Sequence, residues 1–377
     1  MNERRYVFLG LSITSSWGNG HATTYRALLR ELAARGHDVT FLERDVPSHA
    51  AHRDLPSPPY GRTELYGSFE ELVDRHARAV READLVVVGS RVPEGARVGA
   101  WVQELAPTRA AFYDLDTPNT LARLSEPGGA GYITAPQVSR YALYLSFTSG
   151  PTLATLRERH GAQLVRPLYC SADPDRHLPS HSHDEPTFDL GYLGTYSGDR
   201  QRALERLFVD VAKRNEDRRF VIAGSQYPST FPWPDNVAHT PHLDPREHSH
   251  FYASQRFTLN VTRLAMAQAG WSPSVRLFEA AACGIPVISD PWPGLSTVFE
   301  PGSEILIARG TEDVLRYLRD VREDERRAMG AAARKRFLEE HTAMHRAEAL
   351  ERYTREVLDR ESSRLPRALL PETRLSS

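Results

Sequence analysis

Short apolar runs alternate with longer helical stretches along this chain. The alternation breaks once and then restarts, and this pattern constrains the fold more than any single motif. YVFLGLS (6–12), DVTFLE (38–43), DLVVVGS (84–90), RAAFYDLD (109–116), LYLSFT (143–148) and QLVRPLY (163–169) read as strands. Their nearly continuous apolar character is that of a parallel sheet covered by helices on both faces. Residues 172–188, ADPDRHLPSHSHDEPTF, are rich in Pro, His, Ser and Asp without an apolar period, and read as a linker. DLGYLG (189–194), RRFVIAG (218–224), RFTLNVT (256–262), IPVISD (285–290) and EILIA (304–308) then resume the pattern. The expected architecture is α/β, with two successive Rossmann-like parallel-sheet domains, 1–171 and 189–340, facing a central cleft. Residues 341–360 are expected to form a helix that packs back on the first domain, and 361–377 a flexible tail. A chain of 377 residues is long enough for two domains of roughly 100–200 residues each.

Charge and cysteine content narrow the function. The net charge of −2 creates no global field that favours nucleic acid or an anionic membrane. Of the 47 basic residues only Lys213 and Lys335 are lysines and the other 45 are arginines, so any phosphate here is expected to meet Arg forks. Cys170 and Cys283 are too few and too far apart for a disulfide framework or a zinc spacing, which suits a reducing compartment. No run reaches the ~18 apolar residues of a membrane span, and the N-terminus lacks the small-residue cleavage site of a signal peptide. A soluble cytoplasmic protein is the expectation. His177, His181 and His183 read as solvated linker side chains, because a linker supplies no rigid cage for a metal.

Ligands of open α/β sheets bind beyond the strand C-termini, so the loops there are the candidates. SSWGNGHATTY follows the first strand, and its glycines permit close backbone approach. One reading is a dinucleotide fingerprint with Glu43 as the ribose carboxylate, but Thr23 stands where a third glycine-like residue is needed. The other is a substrate loop presenting His21 for hydrogen bonding or proton transfer. FYDLDTPNTL (112–121) carries Asp114-x-Asp116, open to three readings: a metal clamp, a turn and helix cap, or an acceptor contact. GYLGTYSGDRQRAL (191–204) sets Gly194 and Thr195 before Arg200 and Arg202 at a helix start, where a cation is unfavourable unless an anion lies between.

WSPSVRLFEAAACGIPVISD (271–290) is the most informative stretch. Ser272 reads as an N-cap with Pro273 at the first helical position, and the helix stops at Gly284 before a buried strand. Ser274, Arg276 and the free N–H groups of the helix start suit a phosphate. Glu279 lies one to two turns further on an apolar surface, where a lone carboxylate is unfavourable unless bonded. Two neighbouring ribose hydroxyls satisfy it, as does a buried Arg–Glu pair without ligand.

RLFEAAACGIPVISD resembles the nucleotide-sugar signature of the glycosyl transferases group 1, enzymes of the two-domain GT-B fold. Within S-P-S-x-R-x-F-E-A-A-A-C-G it is most similar to the CgeB-like branch. YDLDTPNTLARL, YLSFTSGPTL and RPLYCSADPDRHLP are similar to segments of bacterial CgeB-like proteins, so the resemblance covers about residues 1–355. It implies a glycosyltransferase using a nucleoside-diphosphate sugar, with UDP favoured, no cofactor, no metal and an unnamed acceptor. Glu279 would bind the donor ribose and Arg200 the diphosphate. Gly194 and Thr195 would line it, and Ser274 and Val275 would approach it through backbone groups. Arg263 or Arg276 would replace the family's usual lysine. His21 would face the sugar, with Asp116 as the second candidate catalytic residue. Trp17, Gly18, Asn19, Gly20, Asp114 and Thr117 are the candidate acceptor or sugar contacts. Trp271 stands where the group usually has a second glutamate. The resemblance implies retention at the anomeric carbon. A GT-B epimerase or phosphorylase, or a degenerate nucleotide-binding or scaffold module, are the alternative readings.

Overall fold

In a computed structural model of the protein, residues 3–179 and 185–364 are described. The first sheet has seven parallel strands: β1 Arg5–Gly10, β2 Asp38–Arg44, β3 Arg62–Tyr66, β4 Leu85–Gly89, β5 Ala110–Asp114, β6 Leu143–Ser146 and β7 Val165–Pro167. Their order is β3-β2-β1-β4-β5-β6-β7. The second has six: β8 Phe188–Leu193, β9 Phe220–Ala223, β10 Val237–Thr240, β11 Gln255–Asn260, β12 Val287–Ser289 and β13 Ile305–Ile307, in the order β10-β9-β8-β11-β12-β13. In both sheets the order reverses beside the first strand, at β1/β4 and at β8/β11. Such a switch point opens a crevice between diverging loops.

Eleven of these strands fall on the apolar runs, because a strand covered on both faces must be apolar on both. β4 and β5, for example, are buried at every position. The sequence reading missed β3 and β10. Both are edge strands with exposed polar residues, RTELY and VAHT, paired along one side only. They carry no continuous apolar run for that reason.

The long helix Ala343–Arg364 crosses back to the first domain. Glu351 accepts from Arg35 Nε (2.7 Å) and approaches His37 Nε2 (2.8 Å), and Arg4 donates to the Glu351 carbonyl (2.7 Å). Tyr353 donates to the Pro167 carbonyl and Arg166 pairs with Glu356 at 2.6 Å. One apolar cluster runs from β1 through this helix to Leu277 and Phe278 of the second domain. Residues 365–377 lie outside the described residues, as do His181 and His183. Among the described residues no helix is long and apolar enough to cross a membrane.

Candidate functional site

The loops beyond both switch points enclose one cavity of about 680 Å³. Gly18, Asn19, Gly20, His21, Arg91 and Asp116 line it from the first domain. Gly194, Thr195, Arg200, Arg263, Ser274, Val275, Arg276 and Glu279 line it from the second. The two walls come close: a Cβ on Gly18, whose φ is +58°, would lie 3.2 Å from Gln226 Nε2 of the opposite domain.

On the first-domain wall, Glu43 ties down the loop after β1. It accepts from Ser12 Oγ (2.7 Å), Thr14 Oγ1 (2.6 Å) and the amides of Ile13 (2.8 Å) and Thr14 (3.1 Å). It is fully buried in that role, so the dinucleotide reading loses its ribose carboxylate. Asn19 donates to the Ser12 and Ser15 carbonyls and accepts from the His21 amide. His21 begins the helix His21–Ala34, and its Nε2 lies 3.2 Å from Asp116 Oδ2. Asp116 also accepts from Arg91 Nε (2.7 Å) and Nη2 (3.2 Å). Burial acts to raise the Asp116 carboxyl, but His21 and Arg91 together hold it well below the ordinary carboxylate range.

Asp114 behaves in the opposite way. It is fully buried, and burial, with the Asp116 charge beside it, raises it to about 6. It accepts from Tyr144 OH (2.7 Å), Thr120 Oγ1 (2.9 Å) and the Asp116 amide (3.0 Å). Thr117, also fully buried, donates to the Asp114 carbonyl and contacts Ser146 Oγ. Neither residue lines the cavity, so both leave the expected set of acceptor contacts and hold up the turn that presents Asp116. The Asp114-x-Asp116 carboxylates are thus engaged by different partners. Trp17 does not line the cavity either. It stacks on His52 (ring centroids 4.1 Å) and meets His242 of the second domain at 4.7 Å.

On the second-domain wall, the Glu279 helix spans Val275–Ala282. It starts later than its sequence suggests: Ser274, not Ser272, is the N-cap, and Pro273 stays outside. Ser274 donates to Asn260 Oδ1 (2.7 Å) instead of capping, so the first N–H groups of the helix have no side-chain cap. Arg276 is a buried strut. Its Nε donates to the Leu193 carbonyl, its Nη1 to Asn260 Oδ1 (2.9 Å), and its guanidinium lies 4.8 Å over Tyr192. The chain at Gly194 passes so near that a Cβ there would lie 2.6 Å from Tyr192 OH and 2.8 Å from Arg276 Nη2.

Arg200 and Arg263 differ from Arg276. Arg200 donates only to the Thr195 carbonyl, and neither pairs with a carboxylate among the described residues. Burial and the neighbouring Arg200 charge lower the Arg263 guanidinium. Both face one cavity, and neither is in an ion pair with a carboxylate among the described residues. Further along, Glu279 is 3% exposed and accepts from Tyr252 OH at 2.8 Å. Burial opposes its charge, but His248, His177 and Tyr252 hold it at about 2, so it is anionic. His177 is buried here, not solvated in a linker. Trp271 is wedged between Gly150 of the first domain and Gly294, with φ +45°, away from the cavity.

Arg91, His242 and His248 line the cavity but were not singled out as site residues by the sequence. Each sits outside a recognisable motif, and only the crossing of the loops brings it to the others.

The chain superposes on sucrose-phosphate synthase of Thermosynechococcus elongatus with a TM-score of 0.67 at 16% identity, covering 95% of this chain and 100% of that one. It superposes on HepE of Anabaena, in complex with UDP and glucose, with a TM-score of 0.69 at 13% identity, covering 93% and 99%. For an α-glucosyltransferase in complex with UDP and a 13-mer DNA the values are 0.70 and 10%, covering 94% and 100%. The fold is GT-B. Residues 200–352 match a family model described as glycosyl transferase-like. The GT-B second domain, with the Glu279 helix, therefore carries the glycosyl transferase-like sequence. A comparison with curated protein sequences finds no match.

Proposed function

We infer that the protein is a glycosyltransferase that moves a sugar from a nucleoside-diphosphate sugar, UDP-linked, to a hydroxyl-bearing acceptor. It is a CgeB-like bacterial enzyme of the cytoplasm in this reading. The observation that carries it is the linear arrangement of the second-domain wall. Unpaired Arg200 and Arg263 and an uncapped helix start face the cavity, and one to two turns along the same helix an anionic Glu279 faces it too. A diphosphate sits at the first and a ribose at the second. The UDP held by the structurally similar HepE and α-glucosyltransferase supports the choice of base.

The departing β-phosphate gathers negative charge as the glycosidic bond breaks. Arg200, Arg263 and the helix N–H groups stabilise that charge, and this is the largest contribution expected of the site. The wall of His21, Asp116 and Arg91 meets the transferred sugar and the acceptor. Asp116 fixes the imidazole through Nε2, so His21 contacts the reacting centre in one orientation. Facing domains exclude water and limit donor hydrolysis. The diphosphate needs no metal in this arrangement, and transfer proceeds with retention, as the resemblance implies.

Calorimetric titration with UDP tests the reading. UDP is expected to bind without added metal. Glu279→Ala is expected to weaken it by about 2 kcal/mol, roughly 30-fold, the scale of hydrogen bonds to a charged group. Equal affinity in wild type and variant would remove the ribose assignment.

A further inference from the structure

His177, His248 and Glu279 come from three separate elements: the turn before residue 180, the start of the helix His248–Ala253, and the Glu279 helix. His177 Nε2 lies 3.7 Å and His248 Nδ1 3.6 Å from the same Glu279 oxygen, Oε1. One ligand atom from each of the three residues lies within 4.8 Å of the other two. The two measured separations are too long for direct hydrogen bonds. They are close to the ~3.3 Å between ligand atoms around a tetrahedral ion with bonds of about 2.0–2.1 Å.

Proton placement points the same way. His177 Nδ1 lies 3.2 Å from the Asp173 backbone carbonyl. A proton on Nδ1 satisfies that carbonyl and leaves the bare Nε2 lone pair facing a carboxylate oxygen, which is repulsive unless a cation lies between them. A backbone carbonyl that fixes the far nitrogen in this way is the usual support of a metal-bound histidine. His248 Nδ1 is buried and has no hydrogen-bond partner. Tyr252 engages Glu279 Oε2, so Oε1 alone is turned to the two rings.

We propose that His177 Nε2, His248 Nδ1 and Glu279 Oε1 bind a divalent transition-metal ion of the zinc class, with its fourth coordination position open to the cavity. Two imidazoles and one carboxylate suit zinc, and offer too few oxygens for calcium or magnesium. His248 and Glu279 line the cavity, whereas His177 does not. The consequence rests on the donor reading above: the ion and the ribose need the same oxygen, so each excludes the other. Zinc is then an inhibitor of donor binding, while the transfer step itself uses no metal.

The test uses the full, untagged chain after treatment with a chelator. It is titrated calorimetrically with Zn²⁺, and by visible absorption with Co²⁺ as a spectroscopic substitute. One ion per chain is expected, with a tetrahedral cobalt spectrum. His177→Asn is expected to weaken zinc binding by more than the roughly 10–100-fold that loss of an outer-shell partner causes. The same variant, with its fold checked by circular dichroism, is titrated with UDP alone to set its own baseline. Zinc should weaken UDP binding in wild type and not in His177→Asn. No ion bound by wild type, or unchanged zinc affinity in both His177→Asn and His248→Asn, overturns the site. Zinc bound through these ligands with UDP affinity unaffected overturns the exclusion. Zinc bound without any nucleoside diphosphate binding upholds the site and overturns the donor reading.

Discussion

At the scale of single residues, environment separates side chains that look equivalent in the sequence. Asp114 and Asp116 are two positions apart. Burial among neutral donors raises the first to about 6, while His21 and Arg91 hold the second low. Asp116 is thus the ionised partner that orients His21 at the cavity, and Asp114 supports the turn. His21→Ala is expected to lower kcat by about 100-fold, the lower range for a positioned proton-transfer or hydrogen-bonding group, with UDP affinity retained. Steady-state rates beside UDP titration check this, and parallel loss of both quantities would place His21 in donor binding instead. The arginines divide in the same way. Arg276 is engaged by Leu193 and Asn260, whereas Arg263 pairs with no carboxylate among the described residues. Arg263→Ala should weaken UDP by about 1.5–3 kcal/mol, the range for charge-assisted bonds, and UMP by less. Equal losses for the two nucleotides would remove Arg263 from the β-phosphate.

At the scale of elements, two helices decide the molecule's chemistry and its integrity. The Glu279 helix suits the proposed donor because Ser274 leaves its start uncapped while Glu279 stays anionic inside it. The helix Ala343–Arg364 is held to the first domain through Glu351, which Arg35 and His37 keep at about 2. A carboxyl whose folded pKa lies below its unfolded value adds stability above the unfolded value and loses it as pH falls toward the folded one. The contribution of Glu351 is therefore complete above the ordinary ~4.3 and fades as pH falls to about 2. Glu351→Gln is expected to cost about 2 kcal/mol at neutral pH, on the scale of charged hydrogen bonds. Its urea-unfolding curve should converge on that of wild type across the acid window. A constant gap between the two curves down to the lower limit would show that the ion pairs of Glu351 do not anchor the helix.

At the scale of the whole molecule, the two domains touch through Trp17, packed between His52 on its own side and His242 on the other. Gly18 beside it is bare where Gln226 approaches. Gly18, Gln226 and His242 line the cavity, whereas Trp17 and His52 do not. Trp17→Ala removes two ring contacts of about 0.5–1.5 kcal/mol each. It is expected to shift the chain toward an open arrangement, with a larger radius of gyration in X-ray scattering, a lower kcat/KM and an unchanged Kd for UDP. Scattering identical to wild type would show that other contacts hold the domains together. Trp271 makes a further contact between the domains, wedged between Gly150 and Gly294, where the resemblance leads one to expect a glutamate near the donor sugar.

The sequence by itself determined the two sheets, their parallel strands and the Glu279 helix. Continuous apolar runs admit little else, and a carboxylate on an apolar helix face needs a partner. It could not show β3 and β10, whose edge positions relieve them of the apolar pattern. It read Asp114 and Thr117 as contacts because side chains two or three residues apart look alike in a loop. Only the fold turns Asp114 inward to Tyr144 and Asp116 outward to His21. The gathering of His177, His248 and Glu279 was illegible for the same reason. These residues lie up to about a hundred positions apart, and their chemistry exists only where the linker crosses the second domain's helices. Local pattern specifies elements through solvent exclusion, whereas a site depends on distances between elements, and those distances are set by tertiary packing.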